Sequence, residues 1–343
     1  MPTGYVYDPI FLEHDLRGHP ENRDRLFAVM RFLRERQITE QMEPVLAPPV
    51  PRKFLEMNHV PSYIDYVAEV SERGGDYLDL DTYVAPKTHE AALRAAGGVV
   101  AATEAVMRGE LDNAVCLVRP PGHHATRNRG MGFCIFNNIA VAAHAVRAQG
   151  LARRILIVDL DVHHGNGTQA SFYRDPNVLF CSTHQYPHYP GTGSLNEIGE
   201  EAGRGLTVNV PLPPEVGDAG FQLIFEEVIW PAARRFGPDL VLVSAGFDAH
   251  WADPLASLAL SLTGFAWICR RLVQMAKKLC GGRIVFTLEG GYHLNVLSQG
   301  VYNLCSAALG LPEAEDLDSM GPSPHPEPSV EGVVRAVRQA HGL

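Results

Sequence analysis

An apolar run, Ile155-Leu156-Ile157-Val158, breaks abruptly into Asp159-Leu160-Asp161-Val162-His163-His164-Gly165-Asn166-Gly167-Thr168. In an extended chain alternate side chains share a face, so Asp159, Asp161 and His163 can point the same way. Carboxylate and imidazole are the donors that divalent metals take. An Asp-x-His pair alone is a weak signal, because an isolated histidine is more often a satisfied core residue. Three further apolar runs end alike, and they change that balance. Val115–Val118 enters Arg119-Pro120-Pro121-Gly122-His123-His124, Leu240–Val243 enters Ser244-Ala245-Gly246-Phe247-Asp248, and Ile284–Leu288 enters Glu289-Gly290-Gly291-Tyr292. A purely structural sheet has little reason to end strands in ionisable or polar groups flanked by glycine, whereas open α/β sheets carry their chemistry just beyond the carboxyl ends of strands.

Together, Asp161, His163 and Asp248 make a three-ligand set with an open position, the arrangement of a catalytic metal. The donors suit Zn²⁺, Fe²⁺, Co²⁺ or Mn²⁺ without discriminating among them. Two carboxylates formally cancel a divalent charge, so water there is acidified less than at a three-histidine site, and a separate general base is expected nearby. His123-His124 can supply it, since imidazole titrates near neutrality. The bland alternative is a loop without a role, against which stand the preceding strand and the stiff Pro-Pro-Gly turn. Tyr292 follows two glycines that let the backbone bend and aim the phenol at a developing oxyanion.

The elements that must position these groups recur as short β-rich runs: Tyr5–Tyr7, Pro44–Leu46, Ala114–Val118, Ile155–Val158, Val178–Cys181, Leu206–Val210, Leu240–Val243 and Ile284–Leu288. Helical periodicity covers about 22–36, 88–108, 137–149, 219–235, 262–279 and 293–309. Alternation of this kind predicts an α/β fold, a mostly parallel sheet of eight strands with helices on both faces. No break in composition divides it, so residues 1–312 are expected to form one catalytic domain. Residues 312–329 are rich in proline, serine and acids and read as irregular. Within 313–343, a short amphipathic helix over about 330–341 is expected to pack back on the same domain.

The 343 residues are 46% apolar and 20% charged, ordinary for a globular enzyme. No window approaches the roughly 20 apolar residues of a membrane span, and the start lacks the basic and apolar regions of a secretory signal, so a cytoplasmic protein is expected. Six cysteines without C-x-x-C spacing read as reduced, mostly buried thiols. A net charge of −10 opposes nucleic-acid binding and tolerates a cationic substrate such as a lysine-rich tail.

With these motifs in order, joined by Gly132-Phe133-Cys134-Ile135-Phe136-Asn137-Asn138 and Pro190-Gly191-Thr192-Gly193, the chain resembles the zinc-dependent histone deacetylase superfamily. That superfamily also contains acetylpolyamine amidohydrolases and acetoin-utilisation proteins. The resemblance covers essentially 1–312 and implies an arginase-like single α/β domain. It further implies zinc on Asp161, His163 and Asp248; His124 as general base and then acid; His123, oriented by Asp159, as electrostatic support; and Tyr292 as oxyanion donor. Phe133 and Tyr189 would wall a narrow channel, with the Gly132 carbonyl accepting the substrate amide N–H. From composition alone, Phe133 is a core aromatic. Structural K⁺ is implied on Asp159, Asp161, His163 and Ser182.

Asn166 stands where many members carry an aspartate on the second dyad histidine, which resembles the class II branch and its bacterial relatives. A neutral partner should leave His124 less stabilised as imidazolium and a readier proton donor. Leu255 occupies the place of a gatekeeping glutamate in a polyamine-selective branch. Asp81 is either a rim residue binding substrate backbone or a solvated loop acid. The leading expectation is therefore removal of acetyl or short acyl groups from the ε-amine of lysine, free or in a peptide. Acetylpolyamine hydrolysis is the near alternative. A dimanganese ureohydrolase lacks its own motifs here, and an inactive acyl-lysine binding protein is the non-enzyme alternative. Acyl length, native metal and oligomeric state are left open by the sequence.

Overall fold

A computed structural model describes residues 2–314 and 316–343. Its strands are β1 (Thr3–Val6), β2 (Glu43–Val45), β3 (Asp76–Tyr77), β4 (Tyr83–Val84), β5 (Asn113–Cys116), β6 (Ile155–Asp159), β7 (Val178–Gln185), β8 (Thr207–Leu212), β9 (Leu240–Ala245) and β10 (Ile284–Leu288). Helices α1 (Arg23–Glu35), α2 (Arg52–Asn58), α3 (Pro61–Glu72), α4 (Thr88–Arg108), α5 (Asn138–Ala148) and α6 (Asn166–Phe172) alternate with them. They are followed by α7 (Asp218–Ile224), α8 (Trp230–Phe236), α9 (Leu262–Cys280), α10 (Leu294–Leu309) and α11 (Glu331–His341).

Eight strands form one parallel sheet in the order β2-β1-β5-β10-β9-β6-β7-β8, as the eight apolar runs predict. Every residue of β5, β6, β7, β9 and β10 is buried. Neighbouring side chains on a strand face opposite ways, so burial of all of them means both faces are covered by helices. Helix α9 shows how the coverings are specified. The Ser261 hydroxyl caps it by accepting from the Gly264 N–H, Gly281 ends it at φ +68°, and Phe265, Ile268, Cys269, Leu272, Met275 and Ala276 bury one stripe.

Three short helices, α2, α3 and α6, were not legible in the sequence, and α6 opens on Asn166-Gly167, poor helix formers that only tertiary contacts hold in place. The helix expected over 219–235 is divided. A π turn, Phe225–Ile229, separates α7 from α8 just before Pro231, whose missing N–H cannot continue the ordinary ladder. The hairpin β3–β4 was likewise unforeseen; it carries Asp79–Asp81 at its tip. All six cysteines are free and buried. Among the described residues no helix is long and apolar enough to cross a membrane.

Helix α11 lies against β8 and α7 and buries Val334 and Val337, while Glu327 just before it accepts hydrogen bonds from the backbone N–H groups of Ala219 and Gly220. Val337→Asp puts an unpaired carboxylate into this contact and should lower unfolding free energy by roughly 3 kcal/mol, read by urea titration. An unchanged midpoint would mean the helix contributes nothing to the body.

Candidate active site

The four strands whose ends carry chemistry, β5, β10, β9 and β6, are neighbours in the sheet. Because they are parallel, their carboxyl ends lie on one edge and deliver His123-His124, Tyr292, Asp248 and Asp159–His164 to a common centre.

At that centre one ligand atom each from Asp161, His163 and Asp248 lies within 4.8 Å of the others. His163 Nδ1 stands 3.1 Å from Asp161 Oδ1 and 3.3 Å from Asp248 Oδ2. Backbone donors hold the carboxylates' other oxygens, Gly290 N–H on Asp161 Oδ2 at 2.8 Å and Val162 N–H on Asp248 Oδ1 at 2.9 Å. Gly290 is obligatory for this approach, since a Cβ there would sit 2.1 Å from Asp248 Oδ2. Both carboxylates are fully buried, and among the described residues Asp248 Oδ2 has no hydrogen-bond partner. Burial, then the Asp161 charge, pushes the Asp248 carboxyl up to about 7. Burial works against a charged His163, yet the carboxylates of Asp161 and Asp248 beside its Nδ1 push it up to about 10. An orphaned carboxylate oxygen and two buried acids around one imidazole fit a divalent cation, for which oxygen and nitrogen donors are suitable.

His123, Cys134 and Glu289 also bring donor atoms within 4.8 Å, all buried. Their atoms are committed elsewhere. His123 Nδ1 donates to Asp159 Oδ2 at 3.0 Å, Glu289 Oε2 accepts from Gly122 N–H at 2.7 Å, and burial holds the Cys134 thiol well above its ordinary value, so no thiolate is offered.

The adjacent imidazoles are set in opposite states. Burial opposes charge on His123, but Asp161 and then Asp159 push it up to about 10. His124 is held well below the usual imidazole range by burial and by the positive charges of His123 and His163. Its Nδ1 lies 2.8 Å from Asn166 Oδ1, an acceptor, so the proton of the neutral ring sits on Nδ1 and the Nε2 lone pair is left to take a proton. Pairs whose environments drive them apart mark acid–base roles.

A cavity of about 210 Å³ opens on these groups, lined by Asp81, His124, Gly132, Phe133, His163, His188, Tyr189, Leu255 and Tyr292. All five residues expected to touch substrate thus line one space. Gly132, at φ +55°, leaves the passage open, because a Cβ would come within 2.4 Å of His124 Cδ2. Phe133 adopts φ 69°, held there by its N–H donating to Thr82 Oγ1 at 3.0 Å. Its ring meets Tyr292 edge-on at 5.8 Å, and Tyr189 meets His124 edge-on at 5.1 Å. Burial puts the Tyr292 hydroxyl well above its ordinary value, with Arg25 opposing, so it is a proton-bearing donor. Asp81 is raised by burial and by Asp79, and its carbonyl pairs with His19 Nε2 at 2.9 Å. A broader surface depression of about 1000 Å³ around Arg147, Asp175, Asp239 and Arg283 contains none of the residues gathered at the strand carboxyl ends.

Ser182 pairs in register with Asp159 on the neighbouring strand, and its hydroxyl is 2.9 Å from His184 Nδ1. Asp159 Oδ1 accepts the Asp161 N–H at 3.2 Å, so Asp159, Asp161, His163 and Ser182 are gathered at one end of two adjacent strands.

Several supporting residues escaped the sequence reading. Glu21 is wholly buried against Arg119 (Nη2 to Oε2, 2.7 Å) and Arg25 (Nη1 to Oε1, 2.9 Å). Arg25 donates onward to the carbonyls of Gly291 at 2.8 Å and Glu289 at 2.6 Å and lies 5.0 Å over the Tyr292 ring. Asp253 accepts from Tyr292 N–H at 2.7 Å and from Leu255 N–H at 3.0 Å, tying the phenol's backbone to the rim. Glu21 and Arg25 read in sequence as an ordinary solvated i,i+4 pair. Only Arg119, a charge continuing a buried strand, carried a local signal. His188 gave none.

A family model described as the histone deacetylase domain matches residues 19–308. A probable deacetylase of Archaeoglobus fulgidus is 45% identical over 296 residues, covering 85% of this chain and 82% of that protein. A histone deacetylase-like amidohydrolase of Pseudomonas aeruginosa is 39% identical, covering 80% of this chain and 73% of its own. Among solved structures, the HDA15 HD domain superposes with a TM-score of 0.89 at 36% identity, over 99% of this chain and 96% of that one.

Removing one partner of a buried ion pair strands the other charge. Glu21→Gln, which leaves Arg119 and Arg25 facing a neutral amide, should lower unfolding free energy by about 3–5 kcal/mol. Chemical denaturation checks this, and a loss below about 1 kcal/mol would show that the cluster is hydrated.

Proposed function

Because the chain belongs to the histone deacetylase family, an amidohydrolase family, we propose that it is a zinc-dependent deacylase removing acetyl or short acyl groups from the ε-amine of lysine. The observation that supports this reading most is the meeting of Asp161, His163 and Asp248 beside the uncommitted Nε2 of His124, at the end of a cavity walled by aromatic rings. Zinc held by the three ligands would supply Lewis acidity, acidifying water and polarising an amide carbonyl. Fe²⁺ and Co²⁺ suit the same donors. Among the second set of carboxylates, K⁺ on Asp159, Asp161, His163 and Ser182 would offset their burial.

In this reading Phe133 and Tyr189 flank the methylene stem, and the Gly132 carbonyl accepts the amide N–H. Asp81 at the mouth binds substrate backbone. Nε2 of His124 takes the proton of the attacking water as the oxygen adds to the acyl carbon. The oxygen that gains negative charge receives a hydrogen bond from the Tyr292 hydroxyl. His124 then returns its proton to the amine nitrogen as the C–N bond breaks, giving carboxylate and free amine. Asn166, a neutral acceptor, fixes the His124 ring without holding the proton there, while His123, kept cationic by Asp161 and Asp159, adds positive charge nearby. The cationic amine fits an apolar channel poorly and leaves.

Tyr292→Phe should lower kcat by about 10²–10³-fold with metal content and folding intact; equal turnover would exclude the phenol as oxyanion donor. A matched panel decides between substrate classes. Faster hydrolysis of acetyl-lysine peptide than of acetylputrescine or acetylspermidine, with about one zinc per chain, is the expected outcome. The reverse order would make the protein an acetylpolyamine amidohydrolase, a reading favoured by the Asp81 acid at the mouth. The apolar Leu255 at the rim gives such a cation no partner.

A further inference from the structure

The cavity wall holds one polar side chain for which the proposed hydrolysis has no use. His188 lies between Pro187 and Pro190 in a turn closed by the Gly191 N–H donating to the His188 carbonyl at 2.8 Å. Fixed proline φ angles on either side limit the motion of this segment. The imidazole is half-buried, lines the cavity, and packs with its ring centre 5.2 Å from that of His163. Among the described residues neither ring nitrogen finds a hydrogen-bond partner. Nδ1 is buried without a partner, whereas Nε2 is not among the buried unpartnered atoms and is therefore the accessible nitrogen.

That asymmetry sets the tautomer. A buried N–H without an acceptor costs more than a buried lone pair, so the neutral ring carries its proton on the accessible Nε2. The ring beside His163 thus offers a hydrogen-bond donor in a cavity that Tyr189 and Leu255 also line. A preorganised donor discriminates between ligands that bring an oxygen to it and ligands that bring a methylene, because the latter leaves it unpaired and desolvated.

We propose that His188 is a specificity-determining residue that favours acyl groups bearing a hydroxyl oxygen beyond the carbonyl over the corresponding plain alkyl acyl groups. The inference rests on the deacylase reading above. The reacting carbonyl must reach the point where Asp161, His163 and Asp248 converge, and the His188 ring adjoins His163. On this proposal the acyl carbons next to that carbonyl run past the His188 ring, and an oxygen one or two carbons away meets Nε2. A hydroxyl accepts from Nε2–H, and an aliphatic methyl cannot.

The test compares kcat/KM for one peptide carrying 3-hydroxybutyryl-lysine, butyryl-lysine or acetyl-lysine. These acyl groups differ by one hydroxyl or by chain length alone. Wild-type holoenzyme, His188→Phe and His188→Gln are assayed at one pH, with metal content measured on each. The wild type should cleave the hydroxyacyl peptide about tenfold better than the butyryl peptide. His188→Phe should bring that ratio to about one while changing acetyl-lysine turnover less than threefold, and His188→Gln, which keeps an N–H donor, should restore part of it. A hydroxyacyl-to-butyryl ratio that is equal in wild type and His188→Phe overturns the proposal, as does a wild-type preference for butyryl. Absence of turnover on acetyl-lysine by fully metallated wild type would instead overturn the parent reading, so the two failures are distinct.

Discussion

Two carboxylates, Asp161 and Asp248, are buried within a few ångströms of each other, and everything around them answers that charge. Unpaired ionised carboxyls in such surroundings would be severely destabilising. The chain meets the demand with His163 between them, with backbone N–H donors from Gly290 and Val162, and with His123 held cationic above Asp159. Among the described residues Asp248 Oδ2 is left without a hydrogen-bond partner, and there the donor set calls for a cation.

The same constraint explains why glycine surrounds the centre. Side chains at 246 and 290 would enter the space of the ligand carboxylates, so close backbone approach is a condition of the hydrogen bonds that hold them. A parallel sheet supplies this geometry economically: its neighbouring strands β5, β10, β9 and β6 all end on one edge, and each loop beyond an end brings one or more functional groups inward. Outside the first ring of residues, the buried Glu21–Arg25–Arg119 cluster clamps the loop after β10 from the far side. Arg25 contacts that loop at two carbonyls and at the Tyr292 ring, so the phenol's place is set by a helix residue far away in sequence.

Polarity in the pair His123-His124 arises from partners rather than from the residues. An aspartate faces one ring and an asparagine the other, and the two imidazoles are driven to opposite protonation states, His123 charged and His124 neutral. The cavity extends this logic: Phe133, at φ 69°, is anchored on Thr82 and fixes one part of the cavity wall.

Strand identity was legible because a strand buried on both faces must be a continuous apolar run, and eight such runs became eight parallel strands. The meeting of Asp161, His163 and Asp248 beside His123-His124 was legible because ionisable groups next to glycine at strand ends contradict the hydrophobic pattern around them. Helix α6 was not, since Asn166-Gly167 has poor propensity and is held by contacts from elsewhere. Neither were Glu21, Arg25 and Asp253, which act on groups far off in sequence, nor His188, whose ring meets His163 while Nδ1 has no hydrogen-bond partner among the described residues. The sequence by itself thus determined which groups could do chemistry and that parallel strands would carry them to one edge, because periodicity and ionisable outliers are local properties. Which nitrogen of each histidine is free, which carboxylate is orphaned and which side chains enclose the cavity were decided only by the tertiary structure, because hydrogen bonding and desolvation depend on distances between residues that the linear order does not contain.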